Sequence, residues 1–166
     1  MMNGGTLSLH GHERLSWTHL GGDRMYNAGE TSLTLTEEAN WAPGDRIVLA
    51  PSLGISGFEE AEIASIHGQT LPLASGLAHR HYGGAPTTYQ AYDSGPVLTL
   101  DQRAEVGLLS RNVRIIGDTS SEIAGFGGHV MVMPGSHAHI SNAELHRMGQ
   151  RGSVGRYPVH WHLHGD

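Results

Sequence analysis

Residues 113–117 (VRIIG), 139–145 (HISNAEL) and 159–163 (VHWHL) carry the reading of this chain's fold. Each is a short apolar run with polar interruptions, of strand rather than helix length. They begin 26 and 20 residues apart. That is about one coil of a parallel β-helix, in which each rung stacks on the one before. Asn142 stands at a bend in the middle run, and Met148-Gly149 follows it. In the last run, extended to His164, the residues His160, His162 and His164 fall on one face of a strand. Val159, Trp161 and Leu163 fall on the other, where Trp161 is expected to pack inward.

Outward from these runs the chain reads as all-β. Further strand-like runs are Thr6–His10, Thr31–Thr36, Arg46–Ala50, Glu62–His67, Thr70–Ala74, Val97–Leu100 and His129–Met133, separated by Gly, Pro, Asn or Asp clusters. Glu59–Ala64 allows a single helical turn, and Gly76–Tyr92 is a loop long enough to be functional. The expected architecture is a β-rich leading segment, residues 1–100, running into the first coils of a right-handed parallel β-helix, residues 101–166, as one continuous domain. A β-helix cut short at Asp166 exposes an edge and invites self-association through that open end.

Composition narrows the function. The chain has 166 residues, 38% hydrophobic and 16% charged, with 24 glycines and no cysteine. Thiol nucleophiles, disulfides and zinc–thiolate sites are excluded, and so is a complete laccase-type copper centre, despite the HWH string. Sixteen acidic against ten basic residues give a net charge of −6, which argues against nucleic acid as a partner. No stretch is long and apolar enough to span a membrane. The start, MMNGGTLSLHG, is not a signal peptide. The expectation is either a cytosolic protein or a piece of a longer secreted one.

The densest chemical signal is histidine, thirteen in all. His129, His137, His139, His146, His160, His162 and His164, with Glu144, are spaced so that imidazoles on adjacent rungs can converge. Two or three histidines and a carboxylate suit Zn, Cu, Ni or Fe(II), and the expected cofactor is a divalent metal whose identity is open among Zn, Cu, Ca and Ni. Around RAEVGLLSRNVRIIGD (103–118), Arg103, Glu105, Arg111, Arg114 and Asp118 form a second constellation, in which arginine forks can pair with carboxylates, either internal or on a uronic-acid sugar. Of the tryptophans, Trp17 and Trp41 are expected in the core.

Five segments together carry a resemblance. They are LSLHGHERLSWTHL (7–20), WAPGDRIVLA (41–50), RAEVGLLSRNVRIIGD (103–118), GFGGHVMVM (125–133) and ELHRMGQRGSVGRYPVHWHLHGD (144–166). In order and spacing the chain resembles the region that follows the G8 domain in the cell migration-inducing, hyaluronan-binding family of secreted and cell-surface hyaluronidases. The resemblance covers almost the whole chain, and the GRYPxHxHLxGD string is its most specific part. The matching positions are Arg103, Glu105, Arg111, Asn112, His129, Glu144, Gly149, Gln150, Arg156, Tyr157, Pro158, His160, His162 and Asp166. His139 and His164 lie outside the pattern, and Trp161 stands where Phe is usual.

The resemblance implies an acidic polysaccharide such as hyaluronan as partner, and a secreted or extracellular setting as part of a longer protein. Arg103, Arg111, Arg156 and Tyr157 would bind the substrate. Glu144, His160 and His162 would supply acid and base for hydrolysis or elimination, and His129, His160, His162 and Glu144 would be the ligands of a metal ion. The competing expectations are a non-catalytic β-helix module with a structural ion, and a small copper or zinc enzyme on the histidine face.

Overall fold

Strand pairing, not position in the sequence, decides how this chain divides. The computed structural model describes residues 4–54 and 56–163. Strand β1 (Thr6–His10) opens the chain. Ten strands follow within residues 14–110: β2 (Trp17–His19), β3 (Met25–Tyr26), β4 (Ser32–Thr34), β5 (Arg46–Leu49), β6 (Glu59–Glu62), β7 (Thr70–Pro72), β8 (His81–Tyr82), β9 (Thr87–Gln90), β10 (Val97–Leu100) and β11 (Glu105–Leu108). They pair only with one another and always antiparallel, as a sheet ordered β2-β11-β5-β6 and the pairs β3–β8, β4–β7 and β9–β10. Then come β12 (Val113–Ile116), the short helix α1 (Thr119–Ala124), β13 (Val130–Val132), β14 (His137–Ser141), β15 (Ala143–His146) and β16 (Val159–Trp161). Here every strand pair is parallel: β1–β14, β12–β15 and β13–β16.

The chain accordingly forms two compact units, residues 14–110 and residues 1–13 with 111–166. The expected boundary at 100/101 differs from this. Strand β11 lies beyond that boundary yet pairs with β2 and β5, and β1 pairs with β14, far along the sequence. The all-β expectation and the parallel β-helix pairing are met, with one correction to the spacing. Val113 pairs with Ala143 and Val130 with Val159, so the coil is 30 and 29 residues long rather than 26 and 20. The run expected over residues 139–145 falls in two strands, because Asn142 adopts a left-handed φ of 50° and turns the chain between them. Asn tolerates that conformation better than most residues.

The unit of residues 14–110 has a closed core. Leu20, Tyr26, Leu33, Ile47, Leu49, Ile63, Leu71 and Val106 are almost wholly buried. Along β5 the alternation is visible, with Ile47 and Leu49 inward and Arg46 and Val48 outward. The Tyr26 hydroxyl donates to the Gly21 carbonyl and accepts from the Thr34 N–H, both at 3.0 Å. The Trp41 indole N–H donates to the Leu15 carbonyl at 2.7 Å. Trp41 is in the core as expected. Trp17 is not, being 53% exposed, and Trp161 is 51% exposed rather than packed inward.

The helical turn allowed at Glu59–Ala64 does not form. Strand β6 takes Glu59–Glu62 instead and pairs with β5, a tertiary pairing that overrides the local preference of Glu and Ala. This positions Glu59 as an anchor for part of the long loop. The N–H groups of Ala78 and His79 donate to its carboxylate at 2.6 and 3.0 Å, and the buried His81 ring meets it at 2.7 Å through Nε2. The other ring nitrogen faces the Ala50 carbonyl at 3.2 Å. Both ring nitrogens thus face oxygen acceptors, the Glu59 carboxylate and the Ala50 carbonyl. Burial pushes the Glu59 carboxyl up, but the hydrogen bonds from Ala78, His81 and His79 outweigh it and leave the group below its ordinary value.

Candidate functional site

The segment 147–158 is laid against 125–130 by backbone hydrogen bonds, and these fix the site. Gly127 N–H donates to Gly149 O, Gly149 N–H to Gly128 O, Arg151 N–H to Gly125 O, and Val130 N–H to Pro158 O, at 2.7 to 3.1 Å. The approach is too close for side chains. A Cβ on Gly127 would lie 2.1 Å from the Arg147 carbonyl oxygen, and one on Gly117 2.2 Å from the same atom. Arg147 itself sits at φ 53°, where a non-glycine residue is strained.

This scaffold frames an open cleft of about 320 Å³, lined among others by Ser121, Arg147, Gln150, Arg151, Arg156 and Tyr157. Tyr157 joins the cleft to the histidines, its ring 5.4 Å from that of His160. His160 Nε2 and His162 Nδ1 are 3.2 Å apart, so one ring N–H donates to the other's lone pair. Arg156 donates through NH1 to His129 Nε2 at 2.7 Å. Since arginine has no lone pair to offer, His129 is the acceptor there and carries its proton on Nδ1.

The predicted site residues therefore fall into groups. Arg156, Tyr157, His160, His162 and His129 form a connected edge. Glu144 points elsewhere. On β15, opposite Arg114 of β12, it accepts from Arg114 Nε at 2.7 Å and from NH2 at 3.3 Å. Arg111 lies in the same unit as this edge but does not line the cleft. Arg103 belongs to the other unit. There Asp101 takes its guanidinium bidentately at 2.9 and 2.6 Å, and Arg103 in turn holds the Asp101 carboxyl down at about 2. Among the described residues no group of three or more His, Asp or Glu is arranged to hold a metal ion. The expected set of His129, His160, His162 and Glu144 is thus divided between Arg156, the His160–His162 pair and Arg114. His164 and Asp166 lie outside the described residues.

Sequence reasoning passed over Arg147 and Arg151, two of the three arginines in the cleft. Their signal was RMGQRGSVGR (147–156 with Arg at both ends and the middle) in a chain whose ten basic residues are all arginine. Turn residues of that kind show no periodicity and draw no attention as a face.

A parallel β-helix segment bearing an arginine cleft beside paired imidazoles is the class that fold and site define. Comparison with known proteins agrees on the β-helix. Residues 125–166 match the family model described as CEMIP beta-helix. A G8 domain-containing protein of Dictyostelium discoideum is 33% identical over 97% of this chain, which covers 13% of that protein. The human cell surface hyaluronidase CEMIP2 is 34% identical over 93% of this chain and 12% of its own length. The human cell migration-inducing and hyaluronan-binding protein is 34% identical over 84% of this chain and 11% of its own length. The chain is a G8/CEMIP-family segment, and it spans roughly an eighth of the length of these relatives.

Proposed function

We propose that this chain is an acidic-polysaccharide-binding segment, with a hyaluronan-like polymer as ligand. The observation that carries the reading is the continuity of the edge. Arg156 can pair with a sugar carboxylate, Tyr157 offers an aromatic face to a pyranose ring, and the His160–His162 pair lies next along. Two relatives are named for hyaluronan, one as a cell surface hyaluronidase, and the reading extends that ligand and a cell-surface or extracellular setting to this chain. Where the polymer is cleaved, the imidazoles exchange the proton, since the Glu144 carboxylate is engaged bidentately by Arg114.

The test is hyaluronan binding by the full chain, with product sizing in parallel. Wild type is expected to bind and Arg156→Ala to bind at least tenfold more weakly, the cost of losing a charge-assisted hydrogen-bond pair. No binding by wild type overturns the reading. Binding with shortening of the polymer that His160→Ala and His162→Ala abolish adds the catalytic role, whereas binding with the polymer unshortened makes this a non-catalytic module.

One observation favours a second reading, in which the imidazole pair holds a divalent ion. The 3.2 Å between His160 Nε2 and His162 Nδ1 is close to the roughly 3.3 Å that two ligands on a tetrahedral zinc require. Among the described residues no further His, Asp or Glu completes a group with the pair. Cobalt titration followed by visible absorption tests it: a tetrahedral spectrum lost in His160→Ala supports the ion, and an aqueous spectrum at saturation removes it.

A further inference from the structure

We propose that Arg147, Arg151 and Arg156 together form an anion subsite that takes the carboxylate of one uronic-acid unit and so sets the polymer's register against the His160–His162 pair. This deepens the polysaccharide reading of the same face and rests on it for the polymer, though not for the anion.

Three observations converge on the cleft. The first is charge. The net −6 of the chain resides entirely in residues 14–110, which hold five arginines against eleven acidic residues. The other unit holds five arginines against five acidic residues, and three of those five arginines line this single cleft. Of the two acidic groups beside the cleft, one makes a loose, exposed ion pair with Arg147 and the other is engaged elsewhere. Glu122 is 71% exposed and only 3.7 Å from Arg147 NH1 at its nearest, and Asp118 spends its carboxylate capping α1. Its Oδ1 accepts from the Ser121 N–H and from the hydroxyls of Ser120 and Ser121.

The second is unmet hydrogen bonding. Arg147 Nε is buried, and it is the one such side-chain nitrogen or oxygen among the described residues without a partner. An Nε–H with no accessible surface does not itself meet a ligand, so a carboxylate would pair with the terminal nitrogens of Arg147, whose side chain is 24% exposed. The third is strain. Arg147 is held at φ 53° by a turn whose carbonyl is wedged between Gly117 and Gly127. Strain of that kind persists where the surrounding structure fixes a side chain for a purpose. Arginine suits the purpose because its planar fork matches a carboxylate, and Tyr157, lining the same cleft, carries the sugar ring onward to His160.

Two probes separate the subsite from the polymer reading. The 166-residue chain is titrated with methyl glucuronide, following arginine Nε–H resonances by NMR, and with a hyaluronan hexasaccharide and its carboxyl-reduced counterpart by calorimetry. The glucuronide is expected to shift the Arg147 Nε–H signal. The acidic hexasaccharide should bind roughly tenfold more weakly to Arg151→Gln and to Arg147→Lys, the loss of a charged hydrogen bond. The carboxyl-reduced form should bind weakly and alike to all three. Arg151 is exposed, so its variant remains informative if Arg147→Lys fails to fold. Equal binding of acidic and reduced sugars, or unchanged affinity in Arg151→Gln, overturns the subsite while leaving polysaccharide binding intact. A glucuronide shift with no hexasaccharide binding keeps the subsite and overturns the polymer reading. Silence to both probes overturns both.

Discussion

Residues 14–110 and the unit of residues 1–13 with 111–166 build β structure from opposite materials. The first pairs its strands antiparallel, closes a core of near-zero exposure, and carries the chain's whole net negative charge. The second pairs its strands in parallel, is electrically balanced, and holds nine of the thirteen histidines. Among its described residues Val132 is the one buried hydrophobic side chain, while Val113, Ile115, Leu145 and Val159 are half-buried. Antiparallel strands with short connections can seal a core locally. Rungs of a β-helix depend on the rungs beside them. The contrast teaches that stability and chemistry are separately housed: the buried leucines and the His81–Glu59 pair lie in one unit, the arginine cleft and the imidazole pair in the other.

The contrast can be broken by mutation. Leu33→Ala, in the closed core, is expected to cost about 3 to 4 kcal/mol in denaturant unfolding. Leu145→Ala, half-buried on β15, is expected to cost about 1 kcal/mol by the same measurement. Equal losses would erase the distinction. Between them in size is Glu59→Gln, which removes the charge that the His81 ring and the Ala78 and His79 N–H groups face, and should cost about 2 kcal/mol. Amide exchange should quicken at Ala78 and His79, whose N–H groups that carboxylate holds. Unchanged exchange there would show that the anchor does not hold the loop.

A smaller effect sharpens the electrostatic side. Asp101 is held at about 2, chiefly by the Arg103 guanidinium, against an ordinary 3.8. A carboxyl depressed on folding adds stability above its unfolded value, here above about pH 4, and that stability is lost as pH falls through about 2. With solvent screening the contribution is about 1 kcal/mol. Carboxyl NMR should give a midpoint near 2 in wild type and, in Arg103→Ala, one near the ordinary value. An unmoved midpoint in the variant would detach the shift from Arg103.

Much of the fold was legible where a local pattern had a local cause. The strand at Arg46–Leu49 followed a turn signal, the bend at Asn142 followed from its tolerance of left-handed backbone, and the β-helix motif strings named the family. What escaped depended on distance. Nothing local in Thr6–His10 announces a partner at His137–Ser141, so the coil length and the division of the chain were misjudged. The site shows the same pattern. Arg156, Tyr157, His160 and His162 were legible from a compact motif. Glu144 was assigned to them, but the parallel register puts Arg114 directly across from it, and that pairing is visible only in the ladder. Trp17 was read as core because tryptophan is costly to expose, yet its strand turns it outward opposite Gly107.

The central claim is that the balanced, arginine- and histidine-bearing unit, not the acidic one, receives the saccharide. Amide chemical-shift mapping of the full chain with a hyaluronan octasaccharide tests it most directly. The account predicts perturbations concentrated over residues 121–130 and 147–162, at the cleft and the imidazole pair. Perturbations centred instead on Arg103 or Trp17, within residues 14–110, or none at saturating sugar, would contradict it.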